Sequence, residues 1–418
     1  SCAVTLNTTT VSGNSASDGG GIFNSGALTL NTTTVSGNSA FSSGGGIFNS
    51  IGTVTLNNSL VKLNTSAAPS SGPAGGGGGI SNNGGTVTLN NSAVNGNSAA
   101  NLGGGIFNDF SGTVTLNNSA VSNSVGFAGG GIFNYSTLTL TNSTVNGNSA
   151  TLVGGGLFNG ISGGIGGTLT LNNTTVSGNS ATSSGGGLYN AINSTGLLTL
   201  NYSTVTNNTS DSDNDGSGDG GGINNDQPGT AILQSSLVAG NKKGPSGLSD
   251  VTADCSGSGT MISQGFNLTG SGTGCGLGGT GDVTVTPANV FTDVLGVLAD
   301  NGGPTQTHAL IVSLSNPALD AIASCTNSCG STPFDLDQRG VARVGACDIG
   351  AYEVPTPGLS VAGGNNQRAI TTFAFPQPLR AAVFDNQGSP VSGVTVTFTA
   401  PESGPSGTFA DTGANTTS

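Results

Sequence analysis

The triplet Gly-Gly-Gly followed by Ile or Leu recurs eight times, beginning at Gly19, Gly44, Gly77, Gly103, Gly129, Gly154, Gly185 and Gly220. The intervals are 25, 33, 26, 26, 25, 31 and 35 residues. A unit of about 25 residues therefore repeats, and the longer intervals carry insertions at roughly 62–76, 160–167 and 206–219. Such a period restricts the chain to architectures in which each unit buries its apolar face against the next.

The unit from Ala27 to Asn49 reads ALTLNTTTVSGNSAFSSGGGIFN. It divides into T-[LV]-T-L, then x-[TSA]-V-x-G-N, then G-G-I-F-N. Each piece is too short for a helix, is rich in β-formers and is bounded by Gly, Asn or Ser. No segment sustains a 3.6-residue period. The pattern predicts an all-β chain, a parallel β-helix with three short strands per turn and about ten turns. Strands of successive turns would stack about 4.8 Å apart, giving a coil of roughly 50 Å. Like residues then fall on like residues. The expected inward columns are Leu30, Leu56, Leu89, Leu116, Leu140, Leu171 and Leu200; Val35, Leu60 or Val61, Val94, Val121, Val145, Val176 and Val205; and Ile22, Ile47, Ile80, Ile106, Ile132, Leu157, Leu188 and Ile223.

Asn recurs at two bends. One series is Asn24, Asn49, Asn82, Asn108, Asn134, Asn159, Asn190 and Asn225; the other is Asn14, Asn38, Asn97, Asn148, Asn179, Asn208 and Asn241. Both read as hydrogen-bonded ladders along the stack. The many N-x-[ST] triplets follow from the abundance of Asn and Thr rather than marking glycosylation sites. Beyond residue 226 the repeat decays, but TAILQSSLVAGN (230–241) and GTMISQGFNLTG (259–270) read as further turns. The expected organisation is repeats over 1–270, an irregular closing region over 271–354, a Pro-rich linker at 355–358 and a shortened β-sandwich over 359–418. The chain reads as a fragment of a longer protein.

Composition removes several functions. Seven Lys and Arg in 418 residues are too few to neutralise a nucleic-acid backbone. A net charge of −13 argues against anionic membranes and polyanions. No apolar run is long enough for a transmembrane helix, and the 75 glycines lack the every-third spacing of collagen.

The repeats resemble right-handed parallel β-helix surface proteins of bacteria. GGGI is similar to the glycine motif of polymorphic outer-membrane protein repeats, which pair GGAI with FxxN, whereas Phe and Asn are adjacent here. Six motifs in order resemble the closing part of a choice-of-anchor Q domain: DCSG (254–257), GFNL (265–268), LADNGGPTQTHAL (298–310), NPALDA (316–321), DQRG (337–340) and CDIGAYE (347–353). Residues 359–398 resemble a bacterial Ig-like domain of the invasin type. These resemblances imply a secreted or surface-anchored bacterial protein and no catalytic residues.

The strongest chemical motif is DSDNDGSGD at 211–219. Asp211, Asp213 and Asp215 alternate, Gly216 permits a sharp turn, Ser217 can offer its carbonyl, and Asp219 follows. This is the spacing of a calcium loop, although Gly222 stands where a bidentate acid is expected. Calcium is thus the expected cofactor. The six cysteines suit an oxidising compartment. Cys255 and Cys275 bracket a Gly-rich segment and are expected to pair. Cys347 is expected to pair with Cys329, with Cys325 as the alternative; a Cys325–Cys329 bridge would leave Cys347 free. Cys2 has no evident partner.

Many parallel β-helices are polysaccharide lyases or hydrolases. The regular coil offers Lys62 as its base, and Asp18 and Asp109 as its acids before residue 211. Those acids fall about three turns apart, roughly 15 Å, too far for a glycosidase pair. His308 reads as structural, and Arg339, Arg343, Asp337, Asp348 and Glu353 as an ion-pair network of the closing region. Five turns carry T-x-T: Thr53/Thr55, Thr86/Thr88, Thr113/Thr115, Thr137/Thr139 and Thr168/Thr170. With Leu and Val inward these threonines face out, an array of the kind an ice-binding surface uses. The leading expectation is a non-catalytic, adhesin-like or structural surface protein whose partner is a glycan or protein on another cell or in extracellular matrix.

Overall fold

The structure is a computed structural model of the 418-residue chain. It describes all residues except 1–2, 68–74, 110, 161–165, 191–194, 245–253, 271–273, 324–333, 344, 356–358, 364–376, 384–393, 400–415 and 418. The chain divides into two compact units, Ser1–Glu353 and Val354–Ser418.

The first unit is a parallel β-solenoid. A turn contains four strands, not three: Ala27–Asn31, Thr34–Ser36, Ser39–Ser43 and Ile47–Ser50 in one example. Equivalent strands stack into parallel sheets of ten, eleven, nine and nine strands, called here the first to fourth sheets. The strand absent from the sequence reading is the third, as short as Ser98–Ala99 or Ser180–Ala181. Two residues without a large apolar side chain leave almost no alternation to read. The segments 230–241 and 259–270 continue the stack, with Leu233 on Ser263 and Leu237 on Leu268.

The inward columns form one continuous core, with Leu30, Leu56, Val61, Ile80, Leu116, Val145 and Leu200 each at 0% exposure. The open choice at 60 and 61 resolves to Val61, because Leu60 faces outward on its strand. The glycine triplet has a separate reason at each position. Gly44 turns the corner at φ +66. A Cβ on Gly45 would lie 2.5 Å from the carbonyl oxygen of Gly78 in the next turn, and one on Gly46 would lie 2.7 Å from that of Gly79. The first glycine therefore supplies a left-handed corner, and the other two let adjacent turns approach.

Both Asn ladders are present. Asn24, Asn49, Asn82, Asn108, Asn134, Asn159, Asn190 and Asn225 are linked Nδ2 to Oδ1 at 2.7–2.9 Å, each earlier Asn donating to the later one. The second ladder also includes Asn64, which accepts from Asn38 and donates to Asn97. Ser124 replaces Asn in one turn and accepts the Asn97 N–H. The series ends on Asp254, whose Oδ1 accepts from Asn241 Nδ2 at 2.8 Å. Burial pushes the Asp254 carboxyl up to about 6.

The repeated N-x-[ST] triplets gain a structural cause. In Asn57-Asn58-Ser59, Asn58 takes the left-handed corner at φ +49. Ser59 Oγ donates to the Asn57 carbonyl at 2.9 Å and accepts the Thr33 N–H at 3.0 Å. The hydroxyl thus ties the corner to its neighbouring turn.

After Val283–Val285 adds the final strand of the second sheet, the chain stops winding. A short hairpin, Leu295–Ala299 with Thr307–Leu310, is followed up to Glu353 by residues that, where described, form no further strand. This segment runs back along the outer side of the second sheet. Gln338 Nε2 donates to the Ser143 carbonyl at 3.0 Å, and Thr175 Oγ1 donates to Gln338 Oε1 at 2.7 Å. Asn173 Nδ2 donates to the Leu336 carbonyl, and the Ala351 N–H donates to Thr204 Oγ1. One peptide segment therefore fastens several successive turns.

Among the described residues of the second unit are two small antiparallel pairs. Leu359–Gly363 pairs with Arg380–Val383, and Phe398–Thr399 with Thr416–Thr417. Among the described residues no helix is long and apolar enough to cross a membrane.

Candidate functional site

Among the described residues, none forms a layer over the outer face of the first sheet. Alternation sends Leu and Val inward and Thr outward. The five T-x-T pairs occupy consecutive turns in register: Thr53 on Thr86, Thr113, Thr137 and Thr168, and Thr55 on Thr88, Thr115, Thr139 and Thr170. Thr29 and Thr199 extend the second column at either end. Beside it runs a third, unforeseen column in which Asn31, Asn57, Asn90 and Asn117 are joined side chain to side chain at 2.9–3.0 Å. None of the outward side chains on strands Ala3–Asn7 through Thr260–Ser263 of this sheet is ionisable.

The acidic insertion lies between the third-sheet strand Thr209–Ser210 and the fourth-sheet strand Ile223–Asn225. Carboxylate oxygens of Asp211, Asp213 and Asp215 lie within 4.8 Å of one another. Asp211 is buried, and its Oδ1 accepts the Gly216 N–H at 3.1 Å. The Ser217 N–H donates to Asp215 at 2.8 Å, and hydrogen bonds from Ser217 hold that carboxyl below its ordinary value. Asp219 is directed to Lys243, with Nζ 2.7 Å from Oδ1. Of the four acids expected there, the structure gathers three. Three clustered hard oxygens can hold a metal ion.

The charged residues of the closing region assemble on the flank of the solenoid. Arg339 pairs with Asp337 at 2.7 Å, and Arg343 with Glu353 at 2.8 Å. The Arg339 guanidinium stacks 3.6 Å from the Tyr352 ring centre, and that of Arg343 lies 4.3 Å from the Tyr202 ring centre. The Asp348 N–H donates to Glu353 Oε2 at 3.0 Å. Burial outweighs Arg343 and pushes the Glu353 carboxyl up to about 7. His308 is buried, with Nδ1 2.7 Å from the Gly296 carbonyl and Nε2 2.8 Å from Ser177 Oγ. Burial lowers its pKa, so the neutral ring donates from Nδ1 and accepts from Ser177.

Asp18 Oδ1 accepts the Ser43 N–H at the end of a third-sheet strand. Asp109 follows a fourth-sheet strand; burial of the Tyr135 phenol, and secondarily the Asp109 charge, raise that phenol to about 12. Cys255 and Cys275 are joined. Cys347 is disulfide-bonded, while Cys2, Cys325 and Cys329 lie outside the described residues.

Sequence reasoning missed an aromatic column on the outer side of the fourth sheet. Phe133 stacks on Phe158 at 4.4 Å and Phe158 on Tyr189 at 5.4 Å. Tyr189 also donates to Asp226; burial, and then this bond, raise its pKa. The signal was present: each Phe follows an inward Ile or Leu and must therefore face the other way. These rings are buried from Phe107 to Tyr189, while Phe23 at the other end is 59% exposed.

No protein-family model, curated protein or solved structure matches the chain. The fold defines the class: a parallel β-solenoid with a return segment on its flank.

Proposed function

We propose that the protein is an extracellular, rod-like bacterial surface protein whose solenoid serves as a non-catalytic, adhesin-like or structural display surface. The observation that carries this reading is the in-register outer face of the ten-stranded first sheet. Such a face offers identical groups at regular intervals to an extended partner, a glycan or a protein on another cell or in matrix. The Cys255–Cys275 bridge supports an oxidising, extracellular setting. The ordered motifs from DCSG to CDIGAYE support a choice-of-anchor Q type closing region, and the antiparallel pairs after residue 358 are compatible with an Ig-like domain.

In this reading calcium occupies the Asp211, Asp213 and Asp215 cluster and braces the insertion. Calorimetric titration of the whole chain should give binding that Asp213→Ala with Asp215→Ala abolishes; equal heats from both proteins would remove the cation. The functional test presents the purified chain to a glycan and cell-surface panel with and without calcium. Retained binding to a defined ligand supports the proposal. Binding followed by ligand breakdown would replace it with a polysaccharide-active enzyme.

A further inference from the structure

We infer that the outer face of the first sheet adsorbs to ice. The inference goes beyond the adhesive reading and does not depend on it. The face is built from two columns of Thr and one of Asn. Thr29, Thr55, Thr88, Thr115, Thr139, Thr170 and Thr199 follow one another in register. Rungs are about 4.8 Å apart and alternate residues on one strand about 6.7 Å apart, so the groups form a regular two-dimensional grid. Thr is stiff at χ1, and the Asn column is already tied by Asn90 to Asn57 and Asn117 to Asn90 bonds. Little side-chain freedom is left to lose on binding.

The chemistry of the grid selects its occupant. Its outward side chains on the described strands carry no ring and no charge with which to hold a small solute. A hydroxyl that bonds a dissolved ligand gives up a bond to water, for a net gain of only about 0.5–1.5 kcal/mol. A periodic solid can engage many rungs together, so that small increments add within one binding event. Ice is uncharged, as the face is, and it is made of the molecule that already hydrates the hydroxyls. No foreign ligand has to be desolvated, and the Thr methyls repeat beside the hydroxyls. A charged side chain would instead hold its own water shell against the lattice.

The test uses the full chain, with thermal hysteresis, ice-crystal shaping and retention on a growing ice surface as readouts. Wild type should shape ice with hysteresis that rises with protein concentration. Thr115→Lys with Thr139→Lys should reduce it by roughly tenfold or more. Ser98→Lys, on the exposed side of the third sheet, should match wild type. Far-UV circular dichroism and melting temperature verify that each variant folds. Absence of shaping by wild type, or equal activity in both variants, overturns the inference. Adsorption to crystalline polysaccharide with none to ice would also overturn it. These assays contain no cell or glycan receptor in the ice arm, so their failure is distinct from failure of the adhesive reading.

Discussion

Replacing Asn108 tests whether the inner ladder stabilises the solenoid or only fills a corner. The side chain is fully buried. Its Nδ2 donates to Asn134 Oδ1 at 2.8 Å, the Thr137 carbonyl at 3.0 Å and the Gly112 carbonyl at 3.1 Å. Its Oδ1 accepts Asn82 Nδ2 at 2.9 Å. Asn108→Ala removes all of these, but some partners keep a second bond. Asn82 still donates to the Gly85 carbonyl at 2.8 Å, and Asn134 Oδ1 still accepts the Ser136 N–H at 3.3 Å. With these remaining bonds, the lost interactions and the small void amount to about 3 kcal/mol. Asn108→Asp has nearly the same shape but, ionised, cannot donate. It would aim a carboxylate at three acceptors and cost about 5 kcal/mol near pH 7. Urea unfolding followed by circular dichroism should therefore rank wild type above Ala and Ala above Asp. The gap between Ala and Asp should narrow in acid, where the protonated carboxyl can donate. Hydrogen exchange should rise first in the adjoining strands Ile80–Asn83 and Ile132–Asn134. An unchanged midpoint for Asn108→Ala, or better tolerance of Asp than of Ala at neutral pH, refutes the ladder as a source of stability.

Two further outcomes follow from the geometry. Gly104→Ala would place a methyl against the carbonyl oxygens of Val125 and Gly130, and both are backbone that cannot step aside. The variant should lose most of its folded yield, whereas Gly13→Ala, with nothing within 4 Å of the new atom, should stay soluble and folded despite its corner strain. For pH, Asp254 and Glu353 bind their protons more tightly in the folded chain, at about 6 and about 7. Their contribution is present below the ordinary carboxylate range and is lost as pH rises through those values. Glu353→Gln should flatten the fall in melting temperature between about pH 5 and about pH 7; an unaltered slope would show that Glu353 does not titrate there.

Much of the solenoid was legible because one rule, like on like, sorts residues into columns. Leu, Val and Ile at fixed offsets define the inside, and Gly and Asn define the corners. What escaped was whatever the rule does not encode. The third strand varies from five residues to two and in its short copies is too short to alternate. Asn64 sits next to an insertion, which disguised its membership of the ladder, and Ser124 fills the same place with another residue type. The return of the described residues between 295 and 353 along the second sheet depends on contacts such as Gln338 with Ser143, 195 positions apart, which no local pattern announces. In the acidic loop, alternation placed Asp211, Asp213 and Asp215 together, but the pull of Lys243 on Asp219 comes from the following turn.

The ladders also have an arrow. In the two corner ladders each linked Asn gives a hydrogen to the turn that follows, whereas in the Asn31–Asn117 column of the first sheet the later Asn gives to the earlier one; either way an interior turn has matching ends. A copy of any such turn can be spliced in, or one removed, without leaving a mismatched amide. Asp254 breaks this symmetry, since its carboxylate receives the Asn241 amide and has none to pass on. The length of that ladder is thereby open to revision through tandem duplication of gene segments encoding turns upstream of Asp254, while its end on a carboxylate is inherited as a fixed stop.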